Sequence, residues 1–232
     1  MLGLTDYEVA ALLLSLKVAA VAVCCSLPFG VAVAWILARC RFPGKSLLDG
    51  LVHLPLVLPP VVVGYLLLVS MGRSGWLGGW LYQHLGISFS FSWRGAALAA
   101  AVVAFPLMVR AIRQAFEAVD THLEQAARTL GAGRLRVFFT ISLPLTAPGI
   151  VSGMVLAFAR CLGEFGSTIT FVSNIPGETR TIPLAMYSFI ETPGAEAQAA
   201  RLCVIAIVIS LLSLVASQWL GNKVQLRASG QC

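Results

Sequence analysis

From Val18 to Ala38 the chain reads VAAVAVCCSLPFGVAVAWILA, an uncharged apolar run long enough to cross a bilayer as a helix, and Arg39, Arg41 and Lys45 follow it at once. The sixteen residues at the start hold Asp6 and Glu8 but no positive charge, so they lack the basic region of a cleaved signal peptide. The first run is therefore expected to stay as a helix. A second run, Leu54 to Met71, contains Pro55, Pro59 and Pro60, each without an N–H to donate. Two readings stay open for it: a bent packing helix, or a helix opened beside a solute path. Residues 72–94 are rich in Gly, Ser and Trp and read as a loop, with Trp76, Trp80 and Trp93 suited to a membrane interface. A third span is expected from Gly95 to about Ile112, with Arg110 and Arg113 at its far end, free to snorkel to water. After a polar connection reaching Leu143, a fourth runs from about Ala147 to Phe171. The patch IPLAMYSFI at 182–190 is too short to cross and reads as re-entrant or interfacial, whereas Leu202 to Leu220 makes a fifth span, followed by Lys223 and Arg227. The pattern predicts an all-α integral membrane protein of about five spans in one domain, 1–232.

Composition agrees with that pattern. The chain is 58% hydrophobic and 11% charged, against about 25% charged for a soluble domain, which excludes a water-soluble single domain. Its 16 Lys and Arg against 10 Asp and Glu are scattered, so they make no nucleic-acid stripe but do carry a topology signal. With alternate connections on opposite sides, one face collects Arg39, Arg41, Lys45, Arg110, Arg113, Arg128, Arg134, Arg136, Lys223 and Arg227, and the other keeps Arg73, Arg94, Arg180 and Arg201. The first face is assigned to the cytoplasm, with the N-terminus outside and the C-terminus inside. Lys17 and Arg160 fall inside spans. Cys24 and Cys25 are adjacent in an apolar run, and Cys161 and Cys203 also have apolar surroundings, so the six cysteines read as small hydrophobic residues rather than a disulfide framework.

The connection between the third and fourth spans carries its own signals. Thr121 and Glu124 have capping-box spacing, and Gly131 tolerates the left-handed conformation past a helix end, delimiting a helix of about ten residues, roughly 15 Å. Leu123, Ala126, Ala127 and Leu130 then share one apolar stripe. That stripe either packs on the chain's own span ends or meets a partner.

The run QAARTLG at 125–131, followed after nine residues by Ile141, Ser142, Leu143 and Pro144, resembles the EAA loop of binding-protein-dependent ABC importer permeases. Gln125 stands at that motif's Glu position and Glu124 lies one residue before it. The resemblance implies that a loop of about 117–144 couples to a cytoplasmic ATP-hydrolysing subunit through Glu124, Gln125, Ala126, Ala127, Leu130, Gly131, Leu143 and Pro144. The stretches 53–68, 123–145 and 162–183 look like the molybdate permease subunits of this class, with sulfate permeases as nearest relatives. This resemblance implies a type I (MetI-like) permease fold and a homodimer in the cytoplasmic, or inner, membrane. It also implies two ATP-binding subunits and an external molybdate-binding protein. The cargo would be molybdate and tungstate, with sulfate or thiosulfate as the alternative. ATP would be used by the partner, with no cofactor on this chain.

Rival chemistries find little support. Gly44, Lys45 and Ser46 look like the end of a phosphate-binding loop, but Arg39 occupies the position of its first Gly and no strand precedes it. His53, His84 and His122 are far apart and HExxH is absent, which argues against an intramembrane hydrolase. Arg160, about 13 residues into the expected fourth span and roughly 20 Å deep, needs a partner. Glu164 is four residues on, on the same face. Either the two form a packing ion pair, or Arg160 and Glu164, with Pro59 and Pro60, belong to the gate or path of an oxyanion. Apart from Arg160 and Lys17 the spans offer a dianion only Ser, Thr and backbone groups, so the path is expected to bind weakly.

Overall fold

The computed structural model describes residues 5–228, and among these every regular element is a helix. Helix α1 (Asp6–Arg39) opens on a reciprocal cap: Thr5 N donates to Glu8 Oε2 at 2.6 Å, and Glu8 N donates to Thr5 Oγ1 at 3.4 Å. It is longer than its apolar run because its early charges find partners. Arg201 Nε lies 3.1 Å from Glu8 Oε1, and Lys17 Nζ sits 3.8 Å from the centroid of the Trp93 ring.

The second run is two helices. α2 (Lys45–Val57) and α3 (Pro60–Met71) are bent by 112° at the break. Leu58 is extended, as a residue before proline prefers, and Pro59 and Pro60 form the N-cap and first position of α3, where a missing N–H costs nothing. Residues 72–94 are not all loop, as α4 (Trp76–Leu85) occupies their middle. Its glycines lower helix propensity and hid it, yet Gly78 allows α4 to lie against the Met71 and Gly72 carbonyls, where a Cβ would collide.

α5 (Trp93–Ala118), capped by Ser92, runs beyond the expected Ile112. It lies alongside α1 in the same direction, with Gly30 at Met108 and Arg39 Nη2 donating to Val119 O at 3.0 Å. Then come α6 (Thr121–Thr129), α7 (Arg134–Val137), a π-helical turn (Phe138–Ser142) and α8 (Leu143–Leu162), which returns antiparallel to α5. Gly149 faces Ala115, Gly153 faces Ile112, and Cys161 Sγ donates to Ala100 O at 3.5 Å. The expected fourth span is thus corrected at both ends: the span-length helix is Arg134–Leu162, and α9 (Gly166–Val172) is separate. α10 (Ile182–Ile190) packs on α1 by donating Ile182 N to Ser15 Oγ at 2.7 Å, and α11 (Glu196–Ala228) runs back along α8.

Four helices among the described residues are long and apolar enough to cross a membrane, and the bent α2–α3 pair, counted as one broken span, makes five. The core is built from small side chains: Ala19, Ala22, Ala96, Ala99, Ala100 and Ala104 are all buried between α1, α5 and their neighbours. In lipid the apolar effect does not drive helices together, so close backbone packing on such residues takes its place. Cys24, Cys25, Cys40, Cys161 and Cys203 are free thiols. Cys232 and the side chains of Lys223 and Arg227 lie outside the described residues.

Candidate functional site

Two regions hold the sequence-predicted residues, one where α1 and α5 end and one further into the bundle, near the level of Cys161 and Ala100. The first is the loop between α5 and α8, at the end carrying Arg39, Arg110 and Arg113. Here α6 begins on Asp120, whose Oδ1 accepts from His122 N at 2.9 Å, and not on Thr121. The capping box is absent because Glu124 is engaged elsewhere. Its Oε1 receives Arg39 Nε at 3.1 Å and Ser142 Oγ at 2.9 Å, and the residue is only 7% exposed. At the other end of α6, Gly131 has φ +86°. Its N–H donates to Arg128 O and that of Ala132 to Ala127 O, both at 3.0 Å, so a Schellman turn stops the helix.

The apolar stripe does not pack on the chain's own spans. Leu123 is 49% exposed and Leu130 88%, Ala126 is exposed, and Ala127 is half-buried. Gln125 and Pro144 are exposed as well, while Leu143 is half-buried. Of the eight residues assigned to this loop, Glu124 alone is turned inward as a buried side chain. Below α6 the π turn places Phe138 5.5 Å from Trp35 and 6.2 Å from Phe116, centroid to centroid. Leu143 N donates to Phe138 O, five residues back, in the turn that leads into Pro144. Pro144 has no N–H for the next carbonyl, and the widened turn makes room for its ring.

The second region surrounds the breaks between α2 and α3 and between α8 and α9. They touch, for a Cβ on Gly166 would lie 2.8 Å from Pro60 Cβ, and one on Gly64 would lie 2.6 Å from Ser167 O. Arg160 Nη2 lies 2.8 Å from Glu164 Oε2, so the pair is formed, but in a different setting from a continuous span. Arg160 sits in the last turn of α8, and its side chain is 30% exposed against 2% for Glu164. Glu164 Oε1 accepts from both Ser167 N at 2.9 Å and Ser167 Oγ at 2.8 Å, giving the start of α9 a carboxylate cap. Pro59 and Pro60 are exposed at this junction.

Sequence reasoning missed Arg39 and Ser142 as partners of Glu124, Ser167 as a partner of Glu164, and the Glu8 to Arg201 pair. Ser167 was within reach, since it stands three residues after Glu164. The Arg39 to Glu124 and Glu8 to Arg201 pairs join residues 85 and 193 positions apart, a distance no local pattern encodes. A groove of about 500 Å³ between α1, α2 and α5 is lined by apolar residues such as Phe29, Leu51, Pro55 and Phe105, and among its lining residues only Ser26 and the thiol of Cys25 could donate to a dianion.

Residues 26–225 match the family model described as "Binding-protein-dependent transport system inner membrane component". The "Molybdenum transport system permease protein ModB" of Escherichia coli (strain K12) is 70% identical over 225 residues, covering 97% of this chain and 98% of that protein. A "Probable sulfate transport system permease protein cysT" of Chlorokybus atmophyticus is 39% identical over 163 residues, covering 70% of this chain and 57% of that protein. Among solved structures, one of inward-facing MetNI methionine ABC transporter is similar in fold, with a TM-score of 0.74 at 15% identity, covering 95% of this chain and 99% of that one.

Proposed function

The chain belongs to the family of binding-protein-dependent transport system inner membrane components, and from that premise we infer that it is the permease subunit of an ABC importer carrying molybdate across the cytoplasmic membrane. It is a multi-pass membrane component and not itself an enzyme. An ATPase and an external substrate-binding protein complete the transporter. Molybdate is favoured over sulfate because the molybdenum-transport relative is 70% identical over nearly the whole chain, against 39% over part of it for the sulfate-transport one.

The finer arrangement is a homodimer of this chain with two ATP-binding subunits, α6 facing the cytoplasm and the N-terminus outside. One observation carries the coupling half of this reading: a helix capped at both ends presents Leu123, Ala126 and Leu130 to the outside of the chain, where an apolar face needs a partner. Gln125, Ala127, Gly131, Leu143 and Pro144 belong to the same docking surface. The distribution of basic residues along the sequence, ten in one set of connections and four in the other, supports its cytoplasmic placement. The nucleotide, ATP, is bound by the partner.

For the path, the adjoining helix breaks at Pro59, Pro60 and Gly163 support a passage for the anion at the subunit interface. Arg160 has donors left over beyond its bond to Glu164. A weak path of few donors discriminates poorly between tetrahedral dianions, so selection falls to the external protein. The test is uptake by reconstituted permease and ATPase supplied in turn with a molybdate-binding and a sulfate-binding protein. Molybdate and tungstate should enter with the first and little sulfate with the second; efficient sulfate uptake with the second alone would reverse the assignment.

A further inference from the structure

The α5–α8 loop is tied to the bundle by more than apolar packing. Arg39 is the last residue of α1, Val119 is the C-cap of α5, and Ser142 closes the π turn into α8. Arg39 donates to Glu124 and to Val119 O, and Ser142 donates to Glu124. The ends of α1 and α8 therefore meet α6 at one carboxylate, and the end of α5 joins them through Arg39. Beyond this, α6 is held by the short connections at 119–120 and 130–133 and by packing on α7 and the π turn. A nine-residue helix is below the length that holds itself together in water, so its orientation depends on what grips it. The aromatic contacts hold the π turn on which α6 rests, while among the hydrogen bonds given for α6 side chains those of Glu124 are the ones that reach the spans.

Resting on the reading that α6 receives the ATPase, we propose that Glu124 is a positioning residue that makes α6 move as one body with the ends of α1, α5 and α8. A displacement imposed by the ATPase on Leu123 and Leu130 then reaches three spans together. The stripe faces the partner and the carboxylate faces home, so Glu124 acts through Arg39 and Ser142 rather than by touching the ATPase.

The experiment uses the full complex, reconstituted from a cysteine-free permease with spin labels at Arg41→Cys and Arg128→Cys, both exposed positions. Distances are measured with and without vanadate-trapped nucleotide, and molybdate uptake is counted per ATP hydrolysed. The double variant Arg39→Leu with Glu124→Leu removes both charges, so folding does not have to bear an unpaired one. It should still assemble with the ATPase, while the 41 to 128 distance distribution broadens and uptake per ATP falls at least fivefold. Glu124→Gln keeps the acceptor for Ser142 and should fall in between. A merely structural contact would lower the amount of complex but leave the ratio unchanged. A double variant with wild-type uptake per ATP, or one with an unbroadened distance distribution, overturns the proposal. The docking reading fails separately, if Leu130→Glu leaves ATPase binding intact.

Discussion

Two arginine–glutamate pairs of this bundle, one at the end of α1 and one at the break between α8 and α9, differ in what they join. The Arg160 to Glu164 pair is local: the arginine, 30% exposed, sits in the last turn of α8, and the carboxylate, 2% exposed, lies in the break four residues on and caps α9. The Arg39 to Glu124 pair has the more buried arginine, with side chains 14% and 9% exposed, and it spans 85 positions to gather α1, α5, α6 and α8. A local pair can shape a bend without binding the bundle. A long-range one makes separate helices into one mechanical piece, which suits the end where force would enter.

The largest expected effect comes from that contrast. Glu124→Ala leaves Arg39 partly buried without its carboxylate and should cost about 3–5 kcal/mol, read as unfolding of the purified permease in detergent. Arg160→Ala should cost less, about 1–3 kcal/mol, since Glu164 keeps two hydrogen bonds from Ser167. Equal losses would erase the distinction between the two pairs.

Next in size, Ala127→Trp should weaken ATPase association by about 1–3 kcal/mol through overpacking of a tight groove, measured as ATPase retained on immobilised permease, with unfolding unchanged. A similar loss, now of stability and not of association, is expected from Gly166→Val, whose side chain would meet Pro60. About 1–3 kcal/mol is reasonable for such crowding. A neutral Gly166→Val would show that the two breaks do not bear on each other.

Legibility in the sequence divides along the same local and long-range line. The apolar runs locate the four span-length helices and the bent α2–α3 pair, Gly131 marks the end of α6, and the i,i+4 spacing pairs Arg160 with Glu164. Hydropathy carries the fourth span through Gly163 because it averages over the break, where the Glu164 carboxylate caps the next helix. The start of α6 was misplaced by one residue because Thr121 and Glu124 satisfy a spacing rule, while Arg39, far away in sequence, had already claimed the carboxylate. Small residues such as Ala99 and Ala100 are weak signals in any hydropathy scale, yet they carry the closest helix packing.

The smallest effect is expected at Gly131→Ala, where φ +86° costs an L-residue about 1–2 kcal/mol. The loss should appear as fraying of α6 in hydrogen exchange, with no change at α9.

The central claim is that α6, gripped from inside, offers its outer face to an ATPase. It is tested most directly by a photo-crosslinking side chain placed in turn at Leu130 and at Trp76, both largely exposed and on opposite ends. In the assembled transporter the account predicts a crosslink to the ATPase from position 130 and none from position 76. No crosslink from 130, with the ATPase captured from 76, would contradict it.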